Sequence, residues 1–364
     1  MIAKLSAACC GPAYVMGAAG APNLTGATSG ACATILIVRV MLDTNLWSSI
    51  GDEGVAHTFD GLMAAHDLEV VVAPSTLMEV IRLPVPHARQ RIISAMGIGP
   101  RRRLATEAES ESAEVISEVR RHRPHWLRSM PDTARAASLH TLWTKQMWRK
   151  ALHDSQSLHD HEVRHQRPKA DYLVRRQREQ RTEMLQVKFT IRPLTAVTVT
   201  PVADAPASYL AGWSGESVEM WRVECRDLYW HQLAVVGNRA VLSGEDATFA
   251  DWVGAYVDLR VLRSSRSAFT GFWFSEVAIK AMRRNWIRWA ARLAQTSFKI
   301  TRGNPFDEQH SSYLVDCDLF LSADAGYVSV LELVRSDAPF PIAESRLVSG
   351  DRNVPVLDRI AAAL

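Results

Sequence analysis

The sequence predicts an α/β fold, a three-layer α/β/α sandwich around a central parallel sheet, interrupted by a mostly helical insertion. Three observations predict it. Short, nearly continuous apolar runs at 35–42, 68–73 (LEVVVA) and 318–322 (DLFLS) have the length and composition of strands buried on both faces. Helix-like segments separate them, the alternation that marks parallel sheets. Between 101 and 299 the chain is instead charged, rich in histidine at first, and helical almost throughout, and the α/β alternation returns after Gly303.

Taken in order, residues 1–34 are rich in Ala, Gly, Ser and Thr, carry one charge (Lys4) and show no period of 3.6 or 2. They read as a disordered or spurious leader, with translation starting near Val38 or Met41. A secretory signal is the alternative, although Gly11 and Pro12 break its apolar stretch. A strand is expected at 35–42, a helix at 45–68 interrupted around 51–54, a second strand at 68–73, a helix at 75–83 stopped by Pro84 and Pro86, and a further helix at 88–96. Within the insertion, 186–202 has β-branched alternation that suits a hairpin or an extended connector. Helices are expected at 218–236, 246–262 and 272–298, which hold most of the eleven tryptophans. The spacing of Trp286 and Trp289 suits one packed helix face. The second half of the sandwich is expected to run through a helix at 304–314, with Asn304 as N-cap and Pro305 at N1, then a strand at 318–322, a helix at 325–334, an edge strand at 340–343 and a terminal helix at 355–364. The expected organisation is therefore a leader (1–34), the first half of the core (35–100), the insertion (101–299) and the second half of the core (300–364).

Bulk properties exclude several classes. A net charge of +3 over 364 residues is too small to argue nucleic-acid binding alone. The basic residues are clustered, however, at Arg101–Arg103, at Arg120, Arg121 and Arg123, and between Arg164 and Arg181. Such clusters attract phosphate backbones; solvated helix faces are the alternative. The five cysteines are odd in number and irregular in spacing, which suits a reducing cytoplasm and neither a disulfide framework nor a CxxC knuckle. No run of 18 apolar residues suggests a membrane span. No Walker loop or dinucleotide fingerprint is present, and GWSGES around Ser214 lacks the second glycine of a nucleophile elbow.

The acids carry the chemistry. Asp43 closes the first strand, on the side where open parallel sheets bind ligands, though an Asp there is also a good N-cap. Glu79 lies in the helix after the second strand, where Thr76–Glu79 also fits a capping box. Asp307 falls in the first turn of a helix, where the helix dipole favours an acid, and Asp324 follows the third strand. Asp316 and Asp318 lie between them. Clustered carboxylates raise one another's pKa values, and a hard divalent cation such as Mg2+ or Mn2+ relieves the repulsion.

These residues resemble the PIN-domain family of metal-dependent ribonucleases. An apolar strand ending in Asp43-Thr44-Asn45, Glu79 in the following helix, Asp307 upstream of a short strand and Ser322-Ala323-Asp324 after it match the family's motifs in order. The resemblance covers about 37–100 and 300–345, well under half of the chain. It implies a parallel-sheet sandwich in which Asp43, Glu79, Asp307 and Asp324 hold Mg2+ or Mn2+ and an activated water attacks an RNA phosphodiester in line. Asn45 and Ser322 would support the site by hydrogen bonds. The stretch DEQHSSYL also looks like a variant found in some such proteins, which makes His310 a candidate substrate contact. The interval between Glu79 and Asp307 is far longer than in compact members and leaves Asp316 and Asp318 as alternatives to Asp307. A toxin-like, defence-associated or RNA-processing role is implied, with RNA and an antitoxin-like inhibitor protein as partners and a homo-oligomer left open.

Other readings compete. A PIN-like fold without catalysis would be an RNA- or protein-binding module. HEVRH at 161–165 matches H-E-x-x-H of zinc proteases, with His161 and His165 as ligands and Glu162 as base, but its surroundings are polar and Pro168 follows closely. Glu276 and Arg283, read as i, i+7 on one helix, raise Arg283 or Arg284 as a phosphate contact; exposed charges or a surface ion pair are the alternative.

Overall fold

The computed structural model describes residues 37–165, 167–186, 193–202, 205–235, 249–301 and 303–364. The expected leader and most of the apolar run before Val38 lie outside these. Among the described residues seven strands form: β1 (Val38–Leu42), β2 (Leu68–Val72), β3 (Arg102–Arg103), β4 (Thr198–Val199), β5 (Val218–Glu219), β6 (Leu319–Ser322) and β7 (Glu344–Leu347). Five make one sheet in the order β3-β2-β1-β6-β7, parallel throughout. β4 and β5 pair antiparallel outside it, so Thr198–Val199 finds a strand partner at Val218–Glu219. Residues 187–192 are outside the described set.

The central strands are apolar because both of their faces are covered. Val40, Leu42, Val70, Val72, Leu319 and Leu321 point into one core and Met41, Val71 and Phe320 into the other, following the two-residue alternation of a strand. Helices Thr44–Glu53, Ala56–Ala65, Pro74–Ile81, Pro86–Gly97 and Val356–Ala361 fill the first layer; Glu107–His122, Arg283–Gln295 and Ala325–Asp337 fill the second. The fold is thus α/β with helices on both faces of a parallel sheet. Gly54, at φ 68°, ends the first helix in the left-handed region that glycine adopts without strain. A Cβ at Gly51 would lie 3.2 Å from the Ile92 backbone, so this glycine sets how closely the Thr44–Glu53 and Pro86–Gly97 helices approach.

The insertion joins both cores rather than folding away. Trp143, Met147 and Trp148 pack in the first layer, and Trp221, Tyr229 and Trp273 in the second. The sheet also passes the expected boundary at 100, since β3 begins at Arg102. Trp286 and Trp289 are buried, as their spacing predicts.

Four local expectations are corrected. The 272–298 run is not one helix: a π-turn at Phe272–Glu276 and a 3-10 turn at Ile279–Ala281 precede helix Arg283–Gln295. Tertiary bonds pull the backbone away from the helical ladder there. Arg222 donates to the carbonyls of Trp273 (2.9 Å) and Val277 (2.8 Å), and the Ala278 N–H donates to Glu118 Oε2 (2.9 Å). Glu276 and Arg283 therefore share no helix. The last strand is Glu344–Leu347, not 340–343, because an edge strand needs no continuous apolar run: its polar Glu344 and Arg346 bond each other (2.7 Å) while it pairs with β6. The Thr76–Glu79 capping box does not form, since the helix starts at Pro74 with Ala73 as N-cap. Asn304 lies inside its helix, where its Oδ1 accepts from the Thr301 N–H (2.5 Å) and hydroxyl (2.9 Å), and Gly303 is the N-cap.

Candidate metal centre

The strand order reverses direction at β1. Chain leaving β1 and β2 builds outward to one side, while β6 and β7 add to the other side of β1. Ligands of open α/β sheets bind at such a switch point, outside the carboxyl ends of the strands. Asp43 follows β1 there and Ser322 ends β6.

The Asp43 N–H donates to the Leu321 carbonyl (2.9 Å), which extends the β1–β6 ladder by one residue and fixes where the side chain starts. Its carboxylate is 8% exposed. Oδ1 accepts from the Thr44 N–H (2.7 Å), so the cap reading is realised; Oδ2 accepts from the Ser322 hydroxyl (2.5 Å) and from Asn45 Nδ2 (2.7 Å). Asn45 Oδ1 accepts from the Ala323 N–H (3.1 Å), and Ser322 Oγ accepts from the Asp324 N–H (3.0 Å). Asn45 and Ser322 therefore tie the two strand ends together around one carboxylate.

Glu79 arrives from the Pro74–Ile81 helix, half-buried, and its Oε2 accepts from the Thr44 hydroxyl (2.5 Å). Asp307 stands on helix Asn304–Ser311, held by the Tyr327 hydroxyl donating to its backbone carbonyl (2.8 Å). Asp324 is exposed and caps helix Ala325–Asp337, its Oδ1 accepting from the Tyr327 N–H (2.9 Å). The four acids act on one another. Burial, then the charges of Asp43, Glu79 and Asp324, push the Asp307 carboxyl up to about 8. Burial and Glu79 raise Asp43 to about 6, against the opposing pull of His310 and the Ser322 hydrogen bond. Among the described residues, every charge acting on Asp307 is another carboxylate.

His310, one turn beyond Asp307, is 2% exposed. Its Nε2 has no hydrogen-bond partner among the described residues and lies 3.9 Å from Glu79 Oε2. Asp43, Glu79 and His310 offer ligand atoms all within 4.8 Å of one another, and no other such group of three occurs among the described residues. His310 was legible in the sequence as part of DEQHSSYL and as a substrate contact, and its burial corrects that role: a side chain 2% exposed does not meet a polymer from outside. Thr44, which orients Glu79, carried no sequence signal beyond lying between Asp43 and Asn45.

Asp316 and Asp318 are engaged elsewhere. Asp316 accepts a two-pronged bond from Arg284, and Asp318 a similar pair from Arg39 (both 3.0 Å). Arg284 is therefore not a free phosphate contact: its guanidinium also donates to the Ser312 carbonyl (3.3 Å), and Asp316 and Glu114 raise its pKa. Arg283 is exposed at the start of its helix. In HEVRH, Glu162 is 1% exposed and holds Arg82, whose guanidinium stacks on Phe306 (3.9 Å). That gives the glutamate of the protease-like motif a structural partner; the side chain of His165 is outside the described set. Of the basic clusters, Arg101 is buried against Asp60 (2.8 Å) and Trp47 (5.1 Å), and Arg123 pairs with Glu276. Arg175 and Arg178 remain exposed on helix Arg167–Gln186, which packs against the Asn304–Ser311 helix.

Oxygen donors on several elements, one imidazole and excess negative charge suit a small divalent cation. No helix among the described residues is long and apolar enough to cross a membrane. No family model, no curated protein and no solved structure matches the chain.

Proposed function

We propose that the protein is a PIN-like, Mg2+- or Mn2+-dependent ribonuclease that hydrolyses RNA phosphodiester bonds at the β1–β6 switch point. The observation that carries this reading is the uncompensated acid cluster. Asp43 and Glu79 gather with His310 where the strand order reverses, Asp307 and Asp324 are near enough for charge to act among the acids, and among the described residues no arginine or lysine pairs with any of the four. Elsewhere in the molecule, buried acids such as Glu111 and Glu162 are met by guanidinium groups, so a cluster left without them suits an ion.

Asp43 and Glu79 would be direct ligands, with Asp307 and Asp324 on the same ion or on waters around it. A bound ion supplies Lewis-acid stabilisation of the phosphoryl transition state and a water of lowered pKa. The chain's own residues set the geometry beforehand. Ser322, Asn45 and the Thr44 N–H hold the Asp43 carboxylate, and the Thr44 hydroxyl holds Glu79, so little rearrangement accompanies binding. Asp307, its carboxyl pushed up to about 8, would release its proton on taking part in holding a cation. Exposed Arg175 and Arg178, on the helix flanking Asn304–Ser311, offer phosphate contacts that position a strand without reading its sequence. A toxin-like role, with an antitoxin-like inhibitor protein as partner, fits the same chemistry.

The test is cleavage of a mixed RNA pool by the purified protein with Mn2+, with EDTA, and as Asp43→Asn. Cutting is expected with Mn2+ alone, and a loss of about a thousandfold in Asp43→Asn. A folded protein that binds RNA without cutting it would make the binding module the better reading. Cutting that survives Asp43→Asn would remove the site from consideration.

A further inference from the structure

We propose that His310 is a direct ligand of the bound cation through Nε2, and that the centre consequently selects a first-row transition ion over Mg2+. The inference rests on the metal-dependent reading above and adds a ligand and a selectivity to it.

Three observations converge. First, His310 is 2% exposed and its Nε2 has no hydrogen-bond partner among the described residues. A buried ring nitrogen left unbonded is costly, and a core histidine kept for packing normally finds a carbonyl or hydroxyl. Second, the atom is aimed at the carboxylates. It lies 3.9 Å from Glu79 Oε2, and a ring nitrogen of His310 lies within 4.8 Å of carboxylate oxygens of both Asp43 and Glu79. The separation from Glu79 is too long for a hydrogen bond. It is within the span of one ion, since two ligands with bonds near 2.1 Å stand at most about 4.2 Å apart; the 4.8 Å limit leaves under an ångström to close. Third, the helix that delivers His310 also delivers Asp307 at i−3, on the same face. The Tyr327 hydroxyl and the stack of Arg82 on Phe306 hold this helix in place.

The chemistry follows from the donor set. Carboxylates and water accept Mg2+ and Mn2+ with little discrimination. An imidazole nitrogen favours Mn2+, Fe2+, Co2+ or Zn2+ over Mg2+, which holds its waters tightly. Four acids alone would not discriminate; four acids and one histidine do.

Mn2+ is the probe. Metal-free full-length protein is titrated with Mn2+ and followed by electron paramagnetic resonance, with pulsed detection of nitrogen coupling to the bound ion, and Mg2+ is then added as competitor. In wild type, 14N coupling is expected on the bound Mn2+, and Mg2+ should displace it only at roughly a hundredfold excess or more. Labelling the protein with 15N-histidine should change the coupling pattern, a result that needs no variant. In His310→Gln the coupling should vanish and Mn2+ affinity fall by about 10- to 100-fold, while Mg2+ affinity changes less than about threefold. Mn2+ that binds wild type without nitrogen coupling, yet is lost in Asp43→Asn, would overturn the histidine ligand and leave the acidic centre standing. A folded protein that binds no Mn2+ would overturn both.

Discussion

On helix Glu107–His122, five glutamates turn inward: Glu107, Glu109, Glu111, Glu114 and Glu118. Helix Arg283–Gln295 answers two of them. Arg288 pairs with Glu111 (3.0 Å), Arg284 approaches Glu114 (4.0 Å), and Arg292 joins Glu224 and Glu308. Glu114 also caps that helix, accepting from the N–H groups of Arg284 (2.9 Å) and Asn285 (3.3 Å). At the ends of β1 and β6 a second set of acids gathers and, among the described residues, meets no guanidinium. The Asn304–Ser311 helix divides between the two regions: Glu308 faces the arginines while Asp307 and His310 belong to the strand ends. The difference teaches how to read a buried acid. Where the chain supplies the counter-charge, the acid serves the fold; where it does not, a cation from outside is the counter-charge proposed above.

The comparison breaks most visibly on the arginine side. Arg288→Ala leaves Glu111 buried without its cation. About 3–5 kcal/mol of stability should be lost in urea unfolding, while the folded fraction binds Mn2+ as before. A loss under about 1 kcal/mol would mean that the two regions do not differ as described.

The next effect is linked to pH and metal. In metal-free protein, Asp43 holds its proton to about pH 6 and Asp307 to about pH 8, whereas unfolded carboxyls lose theirs near about 4. Through that window the native state binds more protons than the unfolded one, so the stability these groups contribute is present at low pH and falls as pH rises from about 4 to about 8. Saturating Mn2+, at a hundred times its Kd, should restore about 2.7 kcal/mol at the alkaline end. Asp307→Asn should flatten the metal-free fall. Glu109 and Glu111, raised by burial to about 7 and about 8, keep a residual slope that Mn2+ does not touch. A slope that Mn2+ abolishes completely would place all the titrating acids at the metal centre.

The smallest effect sharpens the strand-end region itself. Ser322→Ala removes one donor to Asp43 without adding bulk. It should weaken Mn2+ binding by about 10- to 100-fold in a calorimetric titration and move urea unfolding of the metal-free protein by less than about 1 kcal/mol.

Much of the site was legible because burial and charge change abruptly at Asp43 and Ser322. Past the half-buried Arg39 at its start, β1 runs apolar to its end, so the acid that follows marks the sheet's carboxyl edge. The two edge strands were not legible for the converse reason: β3 is Arg102–Arg103 alone and β7 is Glu-Ser-Arg-Leu, each without an apolar run. The arginine ladder also hid itself. Arg284, Arg288 and Arg292 recur at four-residue spacing with no local sign of burial, yet they pair with acids on other elements, Asp316, Glu111 and Glu224. The break at Val277 depends on bonds from Arg222 and Glu118 that no local propensity encodes.

The bond from Ser322 to Asp43 joins residues 279 positions apart, and the order of synthesis gives that interval a meaning. β1 can pair with β2 as soon as both are made, but its other edge waits for β6. At ordinary elongation rates the wait is roughly a quarter of a minute to a minute. During that time an apolar strand edge stands open on the nascent chain, and no complete set of acids exists. A half-made copy of this protein is therefore at its stickiest before the acids of the candidate site have come together, and whatever shelters β1 on the ribosome shelters a site not yet assembled.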